Sequence, residues 1–85
     1  MALLDALGRR WTLRILWELR EAPLSFRALR AAADDLSPSV LNARLAELRE
    51  MGVVEAGDDG YALTPAGREL GRILLKLSTW ADKHG

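Results

Sequence analysis

The sequence of 85 residues contains no cysteine and few aromatic residues. Without cysteine, the chain cannot form disulfides, thiolate metal sites or a thiol-based redox sensor. No apolar run approaches the roughly 20 residues that a membrane-spanning helix needs, and the first residues do not resemble a signal peptide. We therefore expect a cytoplasmic protein that has no membrane partner.

The sequence also lacks a surplus of charge of either sign. It has 12 Lys and Arg against 12 Asp and Glu, which gives a formal net charge of zero. Domains that bind nucleic acids usually carry a basic surplus, so this balance argues mildly against such a partner. A chain this short forms one domain, which we place at residues 1–85, and so small a core gains stability from a second subunit.

Apolar periodicity predicts two helices before the first proline. Residues 2–7 carry the first stripe, which Gly8 ends. The second helix, from Trp11 to Glu21, has apolar residues on two faces, which indicates a central position, and Pro23 stops it. We expect the aromatic residues Trp11, Trp17 and Phe26 to lie in the core.

Two further helices follow, each with a capping residue. Ser25 is a good N-cap for a short helix that ends near Ala33. Ser37 and Pro38 then combine a capping hydroxyl with proline at the first helical position. The second of these helices has one buried stripe, Leu41, Leu45 and Leu48, and ends at Gly52.

A β-hairpin and a last helix complete the pattern. Strands are predicted at 53–55 and 61–63, joined by a Gly- and Asp-rich segment that supplies positive φ angles. Thr64 and Pro65 then begin a helix over 65–83. A helix-turn-helix over 25–51 followed by a wing over 53–63 is typical of a mainly α fold with a small β-hairpin, the winged helix-turn-helix.

Six motifs along the chain resemble the HxlR-type winged helix-turn-helix regulators, which are related to the MarR group. The motifs are Gly8-Arg9-Arg10-Trp11-Thr12-Leu13, Leu24-Ser25-Phe26-Arg27-Ala28-Leu29, Leu36-Ser37-Pro38-Ser39-Val40-Leu41, Arg44-Leu45-Ala46-Glu47-Leu48, Met51-Gly52-Val53-Val54 and Tyr61-Ala62-Leu63-Thr64-Pro65-Ala66-Gly67. The resemblance implies a homodimeric bacterial transcription regulator. In such a protein the first and last helices form the dimer, and the helix over 37–51 reads DNA in the major groove.

The chain departs from the family pattern in two places. The early cysteine that some members use as a sensor is missing. The wing, often longer with a basic tip, is here Gly57-Asp58-Asp59-Gly60, and Ser25 and Glu55 replace residues that are often basic. Because phosphates repel an acidic tip, we expect the wing to contribute little to DNA binding.

Helical geometry selects the candidate DNA contacts. At about 100° per residue, the buried leucines of the helix over 37–51 leave Asn42 and its small neighbours facing outward, where Asn42 can pair with an adenine edge or a phosphate. An ordinary solvated face, with Arg44 paired to Glu47, is the alternative. The candidate DNA-binding residues are Ser37, Ser39, Asn42, Ala43, Arg44, Arg10, Arg27 and Arg30.

The apolar stripes of the terminal helices predict a dimer interface. A helix over 65–83 is about 30 Å long, more than so small a domain covers on one side. The alternative is that the stripes belong to the core of one chain. The candidate interface residues are Leu3, Leu4, Leu7, Leu70, Ile73, Leu74, Leu77 and Trp80.

No catalytic set and no metal site can be assembled from the sequence. Serine, histidine and acidic residues are nowhere clustered, and acidic pairs in turns serve turn formation. We expect no enzyme, no cofactor and no metal. Besides a regulator of a pseudo-palindromic operator in double-stranded DNA, two further functions remain open. One is a protein–protein interaction module, and the other is a small-molecule effector site between the subunits, beside Trp11 or Trp80.

Overall fold

A computed structural model of the chain describes residues 11–84, apart from the side chain of Ser78. The predicted winged helix-turn-helix, mainly helical with a two-stranded hairpin, is confirmed. The predicted helix over 2–7, with Leu3, Leu4 and Leu7, lies outside the described residues, and so does the candidate DNA contact Arg10. The elements are α1 (Thr12–Glu18), α2 (Phe26–Ala32), α3 (Pro38–Glu50), β1 (Val54–Gly57), β2 (Gly60–Leu63) and α4 (Pro65–His84).

Apolar side chains of α1, α2, α3 and the hairpin form the core. The predicted stripe of α3 is fully buried, and it packs with Ile15 of α1 and Leu29 of α2. Trp11 and Phe26 pack partly against this core, as predicted. Trp17 does not: it is 46% exposed, and the Arg20 guanidinium lies 3.8 Å from its ring centroid. The prediction that α1 is buried on both faces is therefore wrong.

Two of the three predicted capping residues accept the expected hydrogen bond. The Ala28 amide donates to the Ser25 hydroxyl at 3.1 Å, and the Gly67 amide donates to the Thr64 hydroxyl at 3.0 Å. Ser37 stands at the N-cap position of α3, but its hydroxyl hydrogen-bonds the Ser39 hydroxyl at 3.0 Å instead. The neighbouring hydroxyl competes with the backbone for Ser37.

The first described helix ends earlier than its sequence pattern indicates. α1 stops at Glu18, whereas the apolar pattern and Pro23 predict Glu21. The chain after Leu19 must turn to bring Leu24 alongside β2, where Leu24 and Tyr61 exchange backbone hydrogen bonds of 2.9 and 2.8 Å. This bridge fixes the residues just before α2 against the hairpin.

The hairpin is longer, and its turn is tighter, than predicted. β1 and β2 pair antiparallel from Val54 with Leu63 to Gly57 with Gly60, so Asp58 and Asp59 alone form the turn. Within the hairpin, which is described throughout, Gly60 is the residue with a positive φ, at 108°. A side chain at Gly60 would also collide with the Leu24 carbonyl. Among residues 11–84, no helix has the length and apolarity to cross a membrane.

Candidate nucleic-acid interface

One face of α3 is open to solvent because the leucines occupy the other. Leu41, Leu45 and Leu48 are buried, which leaves the opposite side uncovered. The exposed residues there are Ser39, Asn42, Ala43, Ala46, Arg49 and Glu50. Small side chains allow a helix to approach the floor of a DNA groove, and an asparagine amide can pair with an adenine edge.

The start of α3 presents two hydroxyl groups. Ser37 and Ser39 are both exposed and hydrogen-bond each other, so either can turn a donor outward. Ser39 lies on the same side of the helix as Asn42 and Ala43, which gives this face polar groups over its first two turns. The structure thus brings together four of the predicted contacts: Ser37, Ser39, Asn42 and Ala43.

Arg44 lies at the edge of this face and is held by its own helix. Its guanidinium donates to Glu47 at 3.1 Å, and its side chain is 17% exposed. The intrahelical pair that the sequence left open is therefore present. A DNA contact by Arg44 stays a prediction, and it requires this pair to open.

The arginines around α3 have different surroundings. Arg27 on α2 is exposed, whereas Arg30 donates through Nε to the Leu36 carbonyl at 2.7 Å and so stabilises the turn before α3. Arg49 is an exposed cation that the sequence analysis did not select. Its position seven residues after Asn42, two turns along the same face, is the signal that identifies it.

The turn between α2 and α3 is fixed by backbone geometry and by Arg14. Asp34 and Asp35 adopt left-handed φ angles of 59° and 58°, in keeping with the predicted turn role of this acidic pair. The Arg14 guanidinium donates to Glu18 at 2.7 Å and to the Ala32 carbonyl at 2.8 Å. The hydrogen bond to Glu18 raises the pKa of Arg14 above its ordinary value. Arg14 therefore holds α1 against the end of α2.

The hairpin tip carries negative charge. Glu55, Asp58 and Asp59 are all exposed, and the described hairpin contains no basic residue. This arrangement accords with the expectation of a minor wing contribution, which stays a prediction. Within residues 11–84, no three His, Asp or Glu side chains are placed to hold a metal ion together.

The predicted interface residues on α4 divide into two groups. Leu70 and Leu74 are partly buried against the core of their own chain. Ile73, Leu77 and Trp80 are 58%, 59% and 59% exposed, respectively. The exposed three lie on one side of the helix and form a stripe that no other part of residues 11–84 covers.

Comparisons with known proteins agree with this architecture. The family model for the HxlR-like helix-turn-helix matches residues 6–85. The HTH-type transcriptional regulator YvaP of Bacillus subtilis is 35% identical to this chain, across 93% of the chain and 80% of YvaP.

Solved structures give the same result. The structure of quinone-bound YodB from B. subtilis superposes with a TM-score of 0.88 at 30% identity, covering 95% of this chain and 92% of YodB. A possible HxlR family transcriptional factor from Thermoplasma volcanium superposes with a TM-score of 0.83 at 26% identity, covering 94% of this chain and 78% of that protein. Together with the exposed face of α3, these matches show that the chain belongs to the HxlR-like helix-turn-helix family of DNA-binding transcription regulators.

Proposed function

We propose that this protein binds a pseudo-palindromic operator as a homodimer, with α3 of each subunit in the major groove. The observation that carries the proposal is the solvent-facing side of α3, where Ser39, Asn42 and Ala43 stand opposite the buried leucines. Arg27 on α2 and Arg49 on α3 are both exposed, and in this proposal they contact phosphates. A regulator of such an operator acts in the cytoplasm, which is where we propose that this protein works.

The exposed stripe of α4 supports the dimer. Ile73, Leu77 and Trp80 are each more than half exposed, and burial of large apolar side chains is the main source of association energy. In the proposed dimer, a two-fold axis through this stripe relates the two α3 helices. We expect its half-sites to lie about 34 Å apart, one turn of DNA.

Selection of bound sequences from a random duplex pool tests the proposal. We expect an inverted repeat to be enriched, and we expect its affinity to fall steeply between low and physiological salt because phosphate contacts release counterions. A pool that stays unenriched at low salt overturns DNA recognition. The neutral net charge and acidic hairpin tip favour a protein–protein module as the second candidate, and co-purification of a stable protein partner without DNA would support that function.

Leu77→Glu tests the dimer separately. We expect this variant to sediment as a monomer at micromolar concentration, because the carboxylate cannot be buried in an apolar interface. Leu75→Glu is the matched control: Leu75 is 52% exposed on the opposite flank of the same helix, and its variant should remain dimeric. If the wild-type protein sediments as a monomer, the homodimer is wrong.

A further inference from the structure

An apolar groove runs between α1 and α4, away from the face of α3. Its volume is about 450 Å³, within the range of small-molecule sites. Gly71 leaves its α4 wall open, since a Cβ built there would meet no described atom within 4 Å. Its apolar walls come from Leu13, Leu16, Trp17, Leu63, Leu74 and Leu75.

Three arginines border this groove, and none of the described residues that line it is acidic. Arg68 and Arg72 are four residues apart on α4, so both lie on one face of the helix. Neither forms an ion pair within residues 11–84. Arg20 is held in place over the Trp17 ring and donates to the Trp17 carbonyl at 2.9 Å. Its carboxylate contact, with the exposed Glu21, is 3.8 Å long.

We infer that this groove binds an amphipathic organic anion. The apolar body of such a ligand packs on Trp17 and the leucines, and its carboxylate or sulfonate lies at Arg68 and Arg72. Arginine suits this role because its planar fork binds a carboxylate through two hydrogen bonds. The chain has no cysteine, so this binding does not involve a thiol.

The groove and the exposed stripe of α4 occupy opposite sides of the helix. At about 100° per residue, Gly71 and Leu75 lie roughly half a turn from Ile73 and Leu77. A second subunit seated on the stripe therefore leaves the groove open. The groove is lined by residues of one chain, so the inference does not require the proposed operator. It requires only that a second subunit does not cover the groove.

Calorimetric titration of the full chain with sodium 2-naphthoate tests this inference. We expect 2-naphthoate to bind, and neutral 2-naphthamide to bind at least tenfold more weakly because it lacks the charge. Arg72→Gln should weaken 2-naphthoate at least fivefold and leave 2-naphthamide unchanged. Lys83→Gln removes the same charge from an exposed site on the same helix, outside the groove, and should change either affinity less than twofold.

Gly71→Leu provides an independent measurement, because Gly71 lines the groove and a Cβ there meets no described atom within 4 Å, so the leucine side chain extends into the groove. We expect this variant to lose binding of both probes while it keeps the wild-type circular dichroism and sedimentation. No binding of 2-naphthoate to the wild-type protein overturns the inference, as does equal affinity of the Arg72→Gln and Lys83→Gln variants. If Gly71→Leu converts a dimer to monomers, the groove is a subunit interface and the inference is wrong.

Discussion

Ala43→Glu lowers the affinity of the protein for its selected operator about 100-fold, or by roughly 2.7 kcal/mol. Ala43 lies on the exposed face of α3, within two turns of its start. In the proposed complex a glutamate there fills the space between helix and base edges and brings a negative charge to the phosphates. Because the residue is exposed in the free protein, the unfolding free energy should change by less than about 0.5 kcal/mol. Fluorescence anisotropy with labelled operator measures the affinity.

Ala56→Glu is the matched control for this change. Ala56 is exposed on β1, beside the acidic hairpin tip. The substitution adds the same negative charge to the hairpin, which we expect to contribute little to DNA binding. We expect its affinity to fall less than threefold. If the two variants lose affinity equally, the loss reflects net charge alone. If Ala56→Glu loses more, the wing rather than α3 is the main contact.

Gly67→Ala destabilises the fold by about 3 kcal/mol, the upper part of the range for overpacked sites. Gly67 is buried in the first turns of α4, and a Cβ there would collide with the Val53 carbonyl. The helix cannot retreat cheaply, since the Thr64 amide donates to that carbonyl at 3.1 Å and the Thr64 hydroxyl donates to the Gly52 carbonyl at 2.6 Å. Urea unfolding followed by circular dichroism measures the loss.

Gly71→Ala, one turn further along the same helix, should have the opposite sign. Its Cβ enters open space, so the variant gains about 0.5–1 kcal/mol from the better helix propensity of alanine. Comparison of the two variants separates the effect of close packing from the effect of helix propensity within α4. If the two substitutions change the free energy of unfolding equally, α4 shifts freely at its start. The contact between Gly67 and the Val53 carbonyl would then not restrict this position.

The sequence predicted the fold well where a local rule acts alone. The leucine period of α3 placed its buried and exposed faces correctly, and the caps at Ser25 and Thr64 follow from their hydroxyl chemistry. Local rules failed where two of them compete. Ser37 had a nearer partner in Ser39, and Leu24 pairs with Tyr61 of β2, which requires the chain to leave α1 early.

Less of the functional surface could be predicted, because it depends on which side chains meet. The period of α3 selects Asn42 and Ala43, but it cannot decide whether Arg44 turns to DNA or to Glu47. The groove is harder still to predict. Its arginines come from positions 20, 68 and 72, and they approach one another only because α4 packs back on α1. Nothing in the local sequence around Arg20 indicates this neighbourhood.

The backbone bridge between Leu24 and Tyr61 also decides where the chain tolerates insertions. Asp58 and Asp59 lie beyond both this bridge and the last strand pair, Gly57 with Gly60. Residues added between the two aspartates extend into solvent at a small cost in loop entropy and disturb no buried contact. A lysine-rich insertion at this turn would therefore graft a basic arm onto a rigid base, and the reach and charge of the wing can vary without any change in the core.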